Sequence, residues 1–588
     1  MGPVKGVNRR SWVLGVLLAC VVARSAAAIY LDDEQQISLR TRIYSQATLR
    51  TQDTSGDTTP PSAPGQLIQH RNFYNPELEA KLVSYLSWMK GSGMSFLAPD
   101  SLDFRLAGWG FYDGLYDYGT QQFDQARKQL KARFSQADSV DDVVKGTDNV
   151  VHARDIYAHQ NRVNELYLSY SKGPFFLRVG RQAISWGESD TIGILDQNNP
   201  FDLTLGIPGI FEDLDEARIP LWTVRTSYSL FDQLGPLSSG FLEAYWVPGD
   251  IDTTTAYIGI LTVSPYSTPG IDPAATTKSF CAVSSKLCAA QFVLLDHTPA
   301  ETTGNSRYGV RTQAVVARDY TVSAWFYTTF PNAPVPRMVG LVTSTQAVPG
   351  KSTDLLITEI VHKLTPVFGV SNTFFFQPMN GIIRMEAEYF NREPAFIPSA
   401  NLLVPQTSHL TQLLQGCKNA RGNPVVCRDQ VPRGADLPRA SFLRWELGYD
   451  RFFFFRPLNP TNSFTWVTAF VGSYNMDETS KKDFYFQGQT KPHGSAQENA
   501  GYVQLQKVDN MFVQTHLTTD YMHGRLAPAI TVIANAIGAT VVQPTVEYRV
   551  SDSLLLDLNY TVLTGAFTGT GFFRDRDQLA ARMTYQLN

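Results

Sequence analysis

Apolar and polar residues alternate along the chain from about Ile37 to the C-terminus, in stretches of roughly ten residues bounded by turn residues. The clearest case is the last stretch, where one face carries Leu579, Ala581, Met583, Tyr585 and Leu587 and the other carries Gln578, Ala580, Arg582, Thr584 and Gln586. A period of two residues is that of a β-strand whose two faces lie in different environments. The pattern therefore predicts a protein built mainly of half-buried strands.

Four further stretches, at 383–389, 443–450, 542–550 and 554–562, separate the two faces in the same way. A soluble β-sandwich would produce this pattern too. Two features favour a membrane barrel: the apolar faces carry Trp or Tyr near strand ends, and the polar faces carry charges of both signs. We predict an all-β fold, a transmembrane antiparallel β-barrel of 16 or 18 strands with long external loops and a short helical insertion.

The N-terminus has the features of a secretory signal. Lys5, Arg9 and Arg10 precede an apolar run, and small residues follow it up to Ala28. We predict a signal peptide over residues 1–28 and cleavage before Ile29.

The same N-terminal segment has a second interpretation, in which Cys20 is the acylated residue of a lipoprotein. No other apolar run of about 18 residues occurs, which argues against a helical membrane protein. Residues 29–588 are thus expected to form one barrel domain in the bacterial outer membrane, surrounded by its lipids.

Several segments interrupt the strand pattern. Residues 114–160 contain an amphipathic helix followed by a charged run, predicted to cover one mouth of the barrel or to plug its lumen. Residues 265–305 and 397–440 are long enough to be external loops. Four cysteines fall in these loops as close pairs, which predicts local disulfides more readily than a metal site: Cys281 with Cys288, and Cys417 with Cys427.

Charge and motifs exclude several classes of function. Loss of the signal peptide changes the formal net charge from −4 to −8, because it removes four basic residues. An acidic chain without a basic block argues against nucleic acid as a partner. Zinc-protease, serine-hydrolase and phosphate-loop motifs are absent, and no cofactor or metal is expected. We therefore expect a protein that is not an enzyme, with an embedded hydrolase as the remote alternative.

The alternation assigns charged and amide side chains to the inward face of the barrel. They could pair across strands to fill the lumen, or bind and select a solute. The candidates for binding or selectivity are Glu165, Arg178, Gln182, Glu188, Arg225, Arg384, Glu386, Glu388, Arg444 and Glu446.

One stretch, residues 175–202, combines an alternating strand with a polar and aromatic turn. It contains Gly180, Arg181, Gln182, Trp186, Gly187, Asn199, Pro200 and Asp202. With His70-Arg71-Asn72-Phe73 upstream and Glu216-Ala217-Arg218 downstream, these residues resemble the motif of a family of uncharacterised bacterial outer-membrane barrels, domain of unknown function 1302. The resemblance implies an outer-membrane barrel that acts with envelope transport machinery on hydrophobic substrates, and no established reaction.

The alternation of inward and outward residues along this stretch leaves two explanations for the position of Arg181. Arg178 and Gln182 are predicted to face the lumen, which places Arg181 toward lipid. Either the strand reaches the membrane interface at Arg181, or Gly180 forms a bulge that resets the alternation. Trp186 is predicted to anchor the strand at the membrane interface. The acidic turn that follows it is predicted to lie at a constriction or mouth of the barrel.

The acidic cluster downstream, from Glu212 to Glu216, is predicted to be a solvated loop rather than a calcium site, because calcium-loop spacing is missing.

These expectations give two leading functions. The first is an outer-membrane channel or transporter component that passes small or hydrophobic molecules through a charged lumen. The second is a closed structural barrel that docks periplasmic transport proteins.

Overall fold

The fold is a closed antiparallel barrel. The computed structural model describes residues 29–53, 63–119, 158–189, 195–203, 207–249, 257–258, 291–297, 302–332, 335–348, 351–394, 439–477, 509–536, 538–565, 569–574 and 576–587. The predicted signal peptide, the four paired cysteines, Cys20 and most of the 114–160 insertion lie outside these residues, so their predictions stay predictions.

Eighteen strands of the described chain form the wall, and each pairs with its neighbours in sequence. The first nine are β1 Ile37–Arg50, β2 Leu67–Lys81, β3 Ser101–Asp113, β4 His159–Lys172, β5 Phe175–Gln182, β6 Leu221–Leu234, β7 Leu237–Val247, β8 Arg307–Val316 and β9 Tyr320–Thr329. The other nine are β10 Thr365–Phe376, β11 Gly381–Pro394, β12 Arg439–Phe453, β13 Phe464–Asn475, β14 Asp509–Thr519, β15 Leu526–Asn535, β16 Thr540–Arg549, β17 Leu554–Thr564 and β18 Gln578–Leu587.

The barrel closes where β1 pairs with β18, from Thr41 opposite Leu587 to Arg50 opposite Gln578. Closure leaves no wall strand with an unpaired edge, which a lipid environment requires. The predicted fold class is confirmed, and of the two predicted strand numbers the larger is correct.

The two faces of the wall are in different environments. Outward side chains such as Val370, Leu447 and Met583 are 54%, 43% and 52% exposed, whereas inward neighbours such as Glu446 and Thr584 are 4% and 7% exposed. The apolar residues therefore cover the outside and the polar residues fill the inside, the reverse of a soluble protein. Phe452, Phe454 and Phe455 at the end of β12 are exposed, as an aromatic girdle at a membrane interface requires.

Most connections at one end of the barrel are short, such as residues 173–174, 235–236 and 317–319, with residues 82–100 as a longer one, and most of those at the other end are long. By the rule for outer-membrane barrels, the short turns mark the periplasmic end and the long connections the external end. The connection of residues 183–220, between β5 and β6, belongs to the external end.

The remaining elements lie in connections. A two-residue strand at Ile29–Tyr30 extends the sheet at β1, and a short pairing joins Asp202–Leu203 to Tyr257–Ile258. A separate three-stranded sheet contains Gln291–His297, Val335–Val348 and Lys351–Val361. The helical turns are α1 Leu115–Tyr118, α2 Leu214–Ala217 and the 3-10 turns Val83–Gly91, Ser95–Leu97, Thr303–Asn305, Gln377–Met379 and Gly569–Phe573. Within the described residues, no helix has the length and apolar character needed to span a membrane.

Candidate functional site: a segment that crosses the lumen

The described parts of residues 183–220, here called the crossing segment, fold into the barrel instead of projecting from it. Trp186, Phe201 and Ile219 are almost completely buried, although the chain between β5 and β6 has no barrel strand of its own. The described parts of this segment contact the inward faces of strands on opposite sides of the wall. The crossing segment is thus held at two separate attachments.

The first attachment is to β11 and β12. A carboxylate oxygen of Glu386 accepts the backbone N–H groups of Glu188 at 2.5 Å and Ser189 at 3.2 Å. The hydroxyl of Ser189 donates to Glu446, and Arg384 donates to the carbonyl oxygen of Glu188 at 2.6 Å. The wall residues therefore recognise the backbone of the segment, which fixes its path independently of most of its side chains.

Gly187 allows this close approach. A Cβ atom at that position would lie 2.6 Å from Oε1 of Glu386. No side chain larger than hydrogen fits without a shift, so the Trp186-Gly187 pair of the sequence motif has a steric role here.

Trp186 is the apolar centre of the same attachment. Its ring packs against Tyr245 with a centroid distance of 4.9 Å and against Tyr327 at 6.4 Å, and its Nε1–H donates to Glu243 at 2.5 Å. This aromatic contact lies in a lumenal core of Ile184, Trp186, Leu221, Tyr245, Val247, Trp325, Tyr327, Val367, Phe390, Ala440 and Phe442. The prediction that Trp186 anchors the membrane interface is wrong, because the lumenal core buries it.

The amide side chain of Asn199 ties the two ends of the crossing segment together. Its Oδ1 accepts the N–H of Ile184 at 2.7 Å, and its Nδ2 donates to the carbonyl oxygen of Ile219 at 2.9 Å. The N–H of Ile219 also donates to the carbonyl oxygen of Pro200 at 2.9 Å. One buried amide thus closes a loop of more than thirty residues, which explains Asn199 in the motif.

The neighbouring Asp196 lies 3.2 Å from Arg218, which pairs the two halves of the segment.

The second attachment lies on the opposite wall and uses acids of the crossing segment. The carboxylate of Glu216 accepts a hydrogen bond from Arg42 of β1 at 2.6 Å and from the hydroxyl of Tyr44 at 2.8 Å. Its carbonyl oxygen accepts one from Arg162 of β4 at 3.0 Å. Glu216 therefore joins two separate parts of the wall.

Two more acids of this cluster meet arginines of the wall. Glu212 lies 3.1 Å from Arg71 of β2, and Asp213 lies 3.1 Å from Arg582 of β18. The prediction that Glu212 to Glu216 form a solvated loop is wrong for Glu212 and Glu216, which are 7% and 4% exposed. The folding of the segment into the lumen, which local sequence does not reveal, buries them.

Burial and charge act on these carboxyls in opposite directions. Burial raises the pKa of Glu212 to about 8, against the attraction of Arg71, and it raises the pKa of Glu216 as well. Burial would also raise the pKa of Asp213, but the charge and hydrogen bond of Arg582, the hydrogen bond with Glu216 and the charge of Arg42 together outweigh burial and lower it. The attachment thus contains both protonated and ionised carboxyls near neutral pH.

Apolar contacts complete the second attachment. Ile210 packs in a buried cluster with Ile533, Val541, Leu563 and Phe573, and the ring of Phe211 lies 5.0 Å from that of Phe573. Gln543 of β16 donates to the carbonyl oxygen of Ile210 at 3.0 Å.

The structure places most of the predicted lumenal residues at or beside these attachments. Arg384, Glu386, Glu388, Arg444 and Glu446 are all buried on β11 and β12. Their role in binding or selectivity stays a prediction.

The other candidates divide into two groups. Gln182 is buried and donates to the carbonyl oxygen of Thr223, and Glu188 enters the first attachment through its backbone. Glu165 is bound by Arg105 at 2.7 Å, and Arg178 and Arg225 lie directly opposite each other on β5 and β6.

Neither explanation offered for Arg181 is correct as stated. Gly180 has a φ of +137°, and its pairing shows no register shift, so it is not a bulge. Arg181 is 6% exposed and therefore does not reach an interface. Because Gly180, Arg181 and Gln182 are all buried, the alternation ends at Gly180, where a Cβ would lie 2.1 Å from the carbonyl oxygen of Leu166.

Sequence reasoning missed Glu243 and Tyr327, and it identified Arg71 only as part of the family motif. Glu243 is bound by Arg225, Arg311 and Trp186. Glu243 alternates with the outward-facing Leu242, and this alternation could have identified it as a lumenal residue. Tyr327, which donates to Glu388, had no comparable signal.

Among the described residues, no group of three or more His, Cys, Asp or Glu side chains is arranged to hold a metal ion.

A closed barrel with an apolar exterior, a polar interior and an internal crossing segment defines this protein as a bacterial outer-membrane β-barrel. The model of the family described as protein of unknown function (DUF1302) matches residues 8–587. The chain belongs to this family.

No protein with a curated description is detectably similar to the chain. Among solved structures, OccAB4 of Acinetobacter baumannii is 8% identical with a TM-score of 0.42, covering 94% of this chain and 99% of its own. The outer membrane protein opdK from Pseudomonas aeruginosa is 8% identical with a TM-score of 0.39 and coverages of 94% and 98%. The outer membrane channel DcaP of Acinetobacter baumannii is 9% identical with a TM-score of 0.34 and coverages of 94% and 96%. These superpositions are loose, and no activity is transferred from them.

Proposed function

We propose that the protein is an outer-membrane channel or transporter component that passes small or hydrophobic molecules through a charged lumen constricted by the crossing segment. The observation that carries this proposal is the double attachment of residues 183–220 to opposite walls. A segment that crosses the lumen narrows any path through it, and its position then decides what passes.

The chemistry of the attachments suits a constriction. They consist of side-chain packing together with hydrogen bonds and ion pairs of side chains with side chains or backbone, and the wall strands do not pair with the segment. Arg42, Arg71 and Arg582 hold acids of the segment on one wall, while Glu386 holds its backbone on the other. Such contacts can be broken one attachment at a time while the wall stays intact.

The lining is also mixed in character, because the guanidinium groups of the wall lie over aromatic rings. Arg178 lies 4.1 Å from the ring of Tyr167, and Arg311 lies 5.3 Å from that of Phe241. Arginine on an aromatic face offers both charge and apolar surface to a solute. This combination supports passage of solutes that are partly hydrophobic.

Conductance in a planar lipid bilayer tests the proposal. We expect discrete conducting steps from the purified wild-type barrel, and larger steps when the second attachment is weakened by Arg582→Gln, which removes the partner of Asp213. Arg525→Gln removes the same charge from an exposed periplasmic turn and should conduct like the wild type. A folded barrel that stays silent in all three forms would contradict a channel.

A silent barrel would favour the second candidate, a closed docking barrel that partners periplasmic transport proteins. The attachment of the crossing segment on both sides is the observation that favours it. If the purified barrel does not conduct, copurification of a periplasmic protein with it would support docking.

A further inference from the structure

We propose that Arg178, Arg225 and Arg311 form a binding site for organic anions that carry an apolar body. The three side chains belong to β5, β6 and β8 and lie on the lumenal face of the wall. The proposal deepens the proposed function, because it names a class of solute for the same lumen.

The charges of this patch do not balance. Arg178 and Arg225 are direct partners across β5 and β6, an arrangement of like charges that is unfavourable without an anion. Glu243 binds Arg225 through two hydrogen bonds of 3.0 Å and Arg311 through one of 3.4 Å. One carboxylate therefore serves two guanidinium groups.

Arg178 has no such partner among the described residues. Its Nε donates to the hydroxyl of Ser169 at 2.8 Å, and no described carboxylate forms an ion pair with it. Glu165, on the adjacent strand β4, is bound by Arg105 at 2.7 Å. Within ion-pair distance the three guanidinium groups thus share one carboxylate, whereas the neighbouring Arg105 binds three, those of Glu77, Glu79 and Glu165. Arg178 is the member of the patch that is left for a mobile anion to pair with.

Aromatic rings surround these charges. Arg178 lies 4.1 Å from the ring of Tyr167 and 5.4 Å from that of Phe176, while Arg311 lies 5.3 Å from the ring of Phe241. All three rings are half-buried, and alternation places them on the lumenal face. A solute with a carboxylate and an apolar body would pair its charge with Arg178 and cover these rings.

The position of the patch fits a site beside the constriction. Arg311 donates to the carbonyl oxygen of Trp186 at 3.3 Å, so the patch adjoins the first attachment of the crossing segment. Arg178 is nearer than Gln182 to the periplasmic turn of residues 173–174. The site therefore lies on the periplasmic side of the point at which the crossing segment leaves the wall.

Binding of benzoate to the detergent-solubilised full chain at low salt, measured by calorimetry, tests the site. Benzamide, which has the same ring and no charge, is the matched probe. We expect wild-type protein to bind benzoate and not benzamide, and Arg178→Gln to weaken benzoate binding about tenfold or more. Arg318→Gln removes the same charge from an exposed turn and should bind benzoate like the wild type.

Equal benzoate binding by Arg178→Gln, equal binding of benzamide, or no benzoate binding by the wild type would overturn the proposal. Heat-dependent migration in gels verifies that each barrel is folded, and Arg178→Met replaces Arg178→Gln if the latter does not fold. A wild type that binds benzoate without conducting would overturn the channel and keep the site, whereas conductance without Arg178-dependent binding would overturn the site alone.

Discussion

The guanidinium of Arg71 lies 3.1 Å from the carboxylate of Glu212, and the two side chains are 4% and 3% exposed. Arg71 belongs to the wall strand β2 and Glu212 to the crossing segment. A pair so completely removed from water stabilises the attachment only while both side chains remain, because removal of either one would leave polar atoms of the other buried without their hydrogen-bond partner. The protonation of Glu212 therefore bears directly on how firmly the segment is held.

We expect the free energy of unfolding to fall as the pH rises from about 5 to 8. Burial raises the pKa of Glu212 from its ordinary value of 4.5 to about 8, and nearby Asp202 and Glu216 act in the same direction. The folded state then binds a proton that the unfolded state has lost, so this stabilisation is complete below 4.5 and disappears as the pH approaches 8. Denaturant titration of the barrel in lipid vesicles across this range measures the slope.

Glu212→Gln should flatten that slope, because an amide does not titrate. Asp215→Asn is the matched control, since Asp215 is an exposed acid of the same segment and should leave the slope unchanged. A slope of equal steepness in Glu212→Gln would show that Glu212 does not titrate in this range.

A second prediction concerns the first attachment. Gly187→Ala should loosen the crossing segment, because the added Cβ would lie 2.6 Å from the Glu386 carboxylate that holds the N–H groups of Glu188 and Ser189. We expect larger conductance steps and faster proteolysis within residues 183–220. Gly91→Ala adds the same atom in open space and should behave like the wild type. Unchanged proteolysis in Gly187→Ala would mean that the attachment tolerates the displacement.

The sequence was sufficient to predict the strands of the barrel wall, but it was insufficient to predict the contacts of the crossing segment inside the lumen. Alternation is a local signal, so it predicted the inward faces of Glu386 and Glu446 from their own strands. The pairs Arg42 with Glu216 and Arg582 with Asp213 join positions 174 and 369 residues apart, and no local pattern specifies them. The motif residues Gly187 and Asn199 were recognised, but their roles depend on groups brought near them by closure of the barrel.

Trp186 provides a prediction about the lumenal core. Trp186→Ala should lower the free energy of unfolding by about 3 to 5 kcal/mol, because it leaves a cavity and removes the donor to Glu243. Trp246→Ala is the matched control, since Trp246 is 46% exposed on the outside of β7 and its loss leaves no cavity. Unfolding titrations of both variants in the same vesicles compare the two costs. Equal losses would contradict a packed core inside the barrel.

The last prediction tests which face of the wall meets lipid. Val370 lies near the middle of β10, faces outward and is 54% exposed. Val370→Arg should destabilise the barrel in lipid by about 2 to 4 kcal/mol, because a charge at the bilayer midplane loses its hydration. Val322→Arg introduces the same charge near the periplasmic end of β9, where the cost should be about 0 to 1 kcal/mol. The difference between the two variants should disappear in detergent with a thin apolar layer, and its persistence there would indicate a packing defect instead of a lipid contact.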